Sequence, residues 1–256
     1  FYPARDFNFR DTAGSSHEYE HQRLQVLVQT LNGGYDAVVC CMDAALQYTI
    51  PPQELKKRTV TLKAGDSVSM EQVLSALTAC GYERAVQVDG TGQFSQRGGI
   101  LDIFTPDAPN PARVEFWGDE IDTVSLFDLE TQRRTDTAEQ LVIAPAVEAL
   151  IDNPGLLAEK IMKHASTLRG KTAPAAKAVL TEQAEKLSNG ERNGCADKYI
   201  SMLYETTATL FNYMEPGTLL FVSEPVKSKE RMRSTLWQWG EDVKDLLLEG
   251  TLCRGL

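Results

Sequence analysis

Residues His17-Glu18-Tyr19-Glu20-His21 have the spacing of a zinc hydrolase motif. On a helix, histidines four apart share a face and could chelate a metal, with Glu18 as general base. The setting is poor for that chemistry. The motif falls in a first helical turn with polar flanks, and the one further histidine, His164, lies on a different predicted helix. A carboxylate such as Glu20 would have to complete the ligand set. The alternative is a polar helix start whose acids complement the helix dipole, with both histidines in solvent and no zinc held tightly. Other chemistry is harder still to place. Gly33-Gly34 and Gly98-Gly99 lack the lysine of a phosphate-binding loop, so no nucleotide site is expected. No nucleophile has a recognisable base beside it. Cys40, Cys41, Cys80, Cys195 and Cys253 form no CxxC pair, which fits a reduced, cytoplasmic compartment.

Recognition chemistry is better represented. In the run Ala112-Arg113-Val114-Glu115-Phe116-Trp117, alternation sends Val114 and Phe116 to one face and Arg113, Glu115 and Trp117 to the other. Gly118-Asp119-Glu120 is turn chemistry that returns the chain through Ile121 to Phe127. Ile100-Leu101-Asp102-Ile103-Phe104 reads as the preceding strand, entered through the Gly98-Gly99 bend just after Arg97. Arginine and tryptophan are the residues most enriched at binding hot spots. The alternative is structural: Trp117 folds over the sheet end, and Arg113 pairs with Glu115 or Asp119. Asp102, inside an apolar strand, is expected to bond backbone amides at a bend.

Several elements must position these residues. A helix over 15–31, with a Ser15/Glu18 capping box, buries Leu24, Leu27, Val28 and Leu31. Ala37–Met42 and Leu219–Val222 are continuous apolar runs that read as strands buried on both faces. A short helix is expected over 44–50. Ser69 and Gln72 cap a helix carrying Val73, Leu74 and Leu77, ended by Gly81. Beyond Pro145 the pattern is helical. Leu156, Leu157, Ile161 and Leu168 line one helix, and Val179, Leu180 and Leu187 the next. Ile200 to Met214 forms a third, and Met232, Leu236, Trp239, Val243 and Leu247 line the last. The expected fold class is α/β: an α/β domain with a largely parallel sheet over 1–58 and 147–256. An α+β lobe with an antiparallel sheet is inserted at 59–146.

Gly92-Gln93-Phe94, Arg97-Gly98-Gly99-Ile100-Leu101-Asp102-Ile103-Phe104, Gly118-Asp119-Glu120-Ile121-Asp122 and Phe127-Asp128 resemble a damage-recognition module. Bacterial UvrB and the transcription-repair coupling factors share it. Thr131-Gln132-Arg133 is similar to the coupling factors, since UvrB proteins usually carry Thr-Gly there. The resemblance is dense from about 90 to 134 and weaker elsewhere. It implies a 59–146 lobe like the second domain of UvrB that docks on UvrA through two arginines and an aromatic. These carry over onto Arg97, Arg113 and Trp117, where the aromatic is usually Phe. Thr105 replaces a usual Pro, and Arg134 a usual small hydroxyl residue. It further implies a non-catalytic piece of a larger protein, consistent with a chain opening at Phe1 without Met. The ATP-dependent motor, and the regions that meet RNA polymerase and double-stranded DNA, are then expected elsewhere, leaving no cofactor in this piece.

Composition bears on the rivals. The 256 residues are 42% hydrophobic and 24% charged, ordinary for a globular protein. No apolar run is long enough to span a bilayer, and no signal peptide pattern opens the sequence. The formal charge of −10 disfavours the rival reading as a DNA-contacting module like the corresponding part of UvrB. Truncating Arg97, Arg113 or Trp117 is expected to cost about 2 kcal/mol of partner affinity and less than about 0.5 kcal/mol of stability. Phe116→Ala should do the reverse.

Overall fold

The computed structural model describes residues 1–7, 9–10, 16–191 and 194–256. In chain order the elements begin with α1 (Glu18–Leu31), α2 (Met42–Leu46), α3 (Pro52–Arg58), β1 (Val60–Lys63), α4 (Met70–Ala79), β2 (Glu83–Arg84) and β3 (Gln93–Arg97). Then come β4 (Ile100–Phe104), β5 (Ala112–Trp117), β6 (Glu120–Phe127), β7 (Arg134–Thr137) and β8 (Gln140–Ile143). The chain continues with α5 (Pro154–Thr167), α6 (Ala173–Ser188), α7 (Ile200–Leu203) and α8 (Pro225–Glu249). No helix among the described residues is long and apolar enough to cross a membrane.

The class is α/β, with helices, a mixed sheet containing one parallel pair, and a separate antiparallel pair. The larger sheet has six strands in the order β2-β3-β4-β5-β6-β7, and only β2 and β3 run parallel. The smaller pairs β1 with β8. Neither Ala37–Met42 nor Leu219–Val222 is a strand, which corrects the expected sheet around them. Leu219, Leu220, Phe221 and Val222 are exposed, as is Val39. A continuous apolar run specifies that a segment is fit to be covered on both sides, not that a cover exists. The third expected helix, 200–214, is broken into α7 and short 3-10 turns at Ala196–Tyr199 and Leu210–Tyr213. The short helix expected over 44–50 is α2, which begins at Met42 and ends at Leu46.

Two compact units emerge. One comprises Phe1–Pro3, His17–Val38 and Pro52–Leu150; the other comprises Ala4–Ser16, Val39–Pro51 and Ile151–Leu256. This division differs from an insertion at 59–146, because α1 and α3 cluster with the sheet. The tie is polar. Fully buried Arg23 on α1 donates to Glu148 from Nε at 2.6 Å and Nη2 at 3.2 Å. Its guanidinium also lies 4.4 Å from the Tyr2 ring centroid. Leu24, Leu27 and Val28 are buried as their spacing predicts. The Ser15 member of the expected capping box lies outside the described residues.

Within this unit, α4 is capped as read: Ser69 Oγ accepts from the Gln72 amide, and the Gln72 side chain returns a bond to the Ser69 amide. Val73 and Leu77 of α4 bury against Leu101, Ile103, Val114, Ile121 and Val124 of the sheet. On the opposite face Val88, Phe104 and Phe127 form a smaller apolar cluster. In the second unit, Leu157, Ile161, Leu180 and Leu187 pack α5 against α6. There, α8 is held near its start by Asp43, which accepts from Arg231 Nη2 and from Thr235 Oγ1, both at 2.6 Å.

Candidate protein-docking site

The register of the six-stranded sheet decides which side chains meet. Arg97 faces Ile100, and Ser95 faces Asp102. Asp102 in turn faces Arg113, and Ile100 faces Glu115. Directly opposed residues share a face. Arg97, Asp102, Arg113, Glu115 and Trp117 therefore lie on the side away from Leu101, Ile103 and Val114. A register shift occurs between Glu115 and Phe116 where β5 meets β6. Glu115 faces Thr123 and Phe116 faces Ile121, so the extra residue is Asp122 on β6, and the alternation of β5 continues unbroken to Trp117.

Two tight turns place the ends. Gly98-Gly99 joins β3 to β4, and Gly118-Asp119 joins β5 to β6. Gly98 and Gly118 both have φ of +61°, a conformation that L side chains rarely adopt. Gly99 is constrained differently: a Cβ there would sit 2.9 Å from the Phe116 carbonyl oxygen. That closeness lets the Phe116 amide donate to the Gly99 carbonyl at 2.8 Å. Trp117 thus lies beside the bend that carries Arg97, and it is 84% exposed.

Asp102 is the centre of the face. It is 1% exposed and accepts from Arg113 Nε at 2.6 Å and Nη2 at 2.9 Å, a two-pronged pairing. Arg97 Nη2 donates to the same carboxylate at 2.6 Å. The hydrogen bonding to Asp102 raises the Arg113 guanidinium above its ordinary value. Arg113 also stacks 4.7 Å from the centre of the Phe127 ring and donates from Nη1 to the Gln132 carbonyl at 3.4 Å. The Asp128–Arg133 turn behind it is built for this. Asp128 Oδ1 accepts from the Thr131 amide at 2.8 Å and its hydroxyl at 2.7 Å. Gln132 takes φ of +59° and donates its side-chain amide to the Leu129 carbonyl at 2.8 Å.

The three sequence-derived residues therefore come to one face, but not equally. The side chain of Arg97 is 48% exposed and that of Arg113 only 15%. Arg97 is not on a strand adjacent to β5, because β4 lies between and links the two arginines through Asp102. The structural alternative holds for Arg113 in kind but not in partner, since its ion pair lies within the sheet but is made with Asp102 rather than with Glu115 or Asp119. Arg113 pairs with Asp102, Glu115 pairs with Arg134, and Trp117 projects outward. Asp102 bonds side chains rather than backbone amides. Val114 is fully buried, whereas Phe116 is only partly so. Sequence reading missed Val86, which is 96% exposed and whose carbonyl accepts from Ser95 Oγ at 2.7 Å, at the other end of the same polar row. An isolated valine in a loop gives no signal of this.

The HExxH histidines are arranged for other work. His17 Nδ1 is 2.7 Å from Glu20 Oε2, and His21 Nδ1 is 2.7 Å from Thr91 Oγ1. His21 does not project into solvent, which corrects the expectation for it. It lies against Gly92, and burial pushes its pKa below the ordinary value. Among the described residues no three His, Cys, Asp or Glu side chains are grouped to hold a metal ion.

Residues 60–148 match the family described as the UvrB interaction domain. The chain is also similar to the transcription-repair-coupling factor of Bacillus subtilis (strain 168), with 32% identity over 259 residues, covering 98% of this chain and 22% of that protein. Similarity to the transcription-repair-coupling factors of Staphylococcus aureus (strain USA300) and Staphylococcus epidermidis (strain ATCC 35984) is 26% and 27%, each covering 97% of this chain and 22% of the relative. The chain thus spans 22% of the length of the curated relatives it matches.

Proposed function

We propose, from the premise that this chain is a relative of the transcription-repair-coupling factors and carries a UvrB interaction domain, that it is a non-catalytic docking segment. Its sheet face recruits UvrA in nucleotide excision repair, at sites where RNA polymerase has stalled. The observation that carries this is the exposed Trp117 on the same sheet face as Arg97, whose guanidinium is bonded to a buried carboxylate. An exposed aromatic sharing a face with an oriented arginine supplies the two residue types that most often anchor interfaces, at low ordering cost. Arg97 meets an acidic group of the partner, and Trp117 fills a pocket on it. The work of these residues is surface complementarity. Nucleotide hydrolysis, and the contacts to polymerase and DNA, belong to other parts of the longer relatives. Titration of purified UvrA against the chain tests the proposal. Saturable binding weakened by Trp117→Ala is the expected result, and no binding by the wild-type chain would exclude it. A DNA-contacting role predicts instead an affinity for duplex DNA that falls steeply with salt.

A further inference from the structure

We propose that Asp102 is the positioning residue of this docking face, and that Arg97 recognises the partner only in the orientation Asp102 imposes; this rests on the docking reading above. One carboxylate, 1% exposed, receives three hydrogen bonds from two arginines on the strands either side of it. The sharing is unequal. Arg113 spends Nε and Nη2 on Asp102 and Nη1 on the Gln132 carbonyl, and its side chain is mostly covered. Arg97 uses a single Nη2 bond and keeps about half of its side chain in solvent. Arg113 therefore anchors the carboxylate, and the carboxylate orients Arg97 towards the outside.

Charge supports the same division. The two guanidiniums and one carboxylate leave one net positive charge, and the neighbouring Glu115–Arg134 pair adds none. A partner carboxylate would thus meet a single positive centre at a fixed place on the face that carries Trp117. An unrestrained arginine loses rotamer freedom when it binds, and a side chain already held loses less. Asp102 never needs to touch the partner for this effect.

The test is Asp102→Asn in the complete chain, near in shape but without the charge. UvrA affinity is measured beside thermal melting, for this variant, for Arg97→Ala and for the double variant. We expect Asp102→Asn to weaken UvrA binding by about tenfold while the chain still melts cooperatively. The two losses should be strongly non-additive, because each removes the same oriented guanidinium. If Asp102→Asn does not fold, Asp102→Leu combined with Arg113→Met replaces the pair with apolar groups of similar size. On that background Arg97→Ala should cost little further affinity. A folded Asp102→Asn chain with wild-type or tighter affinity overturns the proposal, as do additive losses. An undiminished Arg97→Ala effect on the apolar background does the same. Trp117→Ala separates the two levels. If it weakens UvrA binding and Asp102→Asn does not, docking stands and positioning by Asp102 falls. If the wild-type chain shows no UvrA affinity, both fall.

Discussion

Asp102 and Arg113 face each other directly across β4 and β5, joined by two hydrogen bonds at 2.6 and 2.9 Å. The pair makes one proposed docking residue part of the sheet's internal polar structure. Arg113 cannot then be treated as an ordinary surface side chain.

Arg113→Ala should for that reason destabilise the fold. It leaves the buried Asp102 carboxylate with Arg97 alone, and removing one partner of a buried ion pair typically costs about 3 kcal/mol or more. Chemical denaturation should show a clear fall in midpoint with an unchanged slope. This departs from the expectation, drawn on alternation and resemblance, that truncating any of the three docking residues costs partner affinity but less than about 0.5 kcal/mol of stability. A stability change under about 0.5 kcal/mol, the usual surface value, would refute the assigned pairing.

Trp117→Ala should behave in the opposite way. The side chain is 84% exposed, so the melting temperature should hardly move. UvrA affinity should fall by roughly thirtyfold, equivalent to about 2 kcal/mol at a hot-spot residue. Calorimetric titration and a melting curve on the same sample check both halves.

Arg23→Ala and Arg134→Ala offer a contrast between buried and exposed ion pairs. Arg23 and Glu148 are both fully buried, and removing the arginine takes away the two hydrogen bonds that it donates to the glutamate. We expect a loss of about 3–5 kcal/mol. Arg134 and Glu115 are both partly exposed to solvent, so Arg134→Ala should cost at most about 1 kcal/mol. Equal losses from the two substitutions would contradict the burial seen here.

Stability should fall on mild acidification, partly through His21. Burial lowers its folded pKa below the ordinary 6.5. Below pH 6.5 the unfolded chain therefore binds a proton that the folded chain resists, and stability drops until the folded pKa is passed. The contribution is fully present above 6.5. His21→Gln, which keeps a polar group near Thr91, should flatten this part of the profile. Melting temperatures of both chains at pH 7.5 and 5.5 would decide it.

Much of the site was readable before the fold was known, because strand alternation is a local property. The sides of Val114 and Trp117, the Gly118-Asp119 turn and the Ser69/Gln72 cap all follow from neighbours in sequence. Alternation puts Arg113 and Trp117 on one face, and the resemblance adds Arg97 to them. The partner of Asp102 was not readable. It depends on how the 105–111 connection sets the register of β4 against β5, and loop residues carry no such signal. The attachment of α1 to the sheet was missed for a related reason. Arg23 on a helix reads as a solvated charge until Glu148, 125 residues away, is seen against it. Leu219–Val222 failed in the other direction, since apolar composition alone does not name a neighbour.

The order of the six-stranded sheet also bears on how the molecule folds. From β3 to β7 each strand pairs with the one that follows it in the chain. Contacts between sequence neighbours close short loops and form quickly, whereas contacts across long separations wait. The Arg97–Asp102–Arg113 cluster draws on a stretch of 17 positions, whereas Arg23–Glu148 spans 125 residues. Pulse-labelled refolding should accordingly protect the amides of β4 and β5 before those of α1. The recognition face would then be complete while α1 is still being captured.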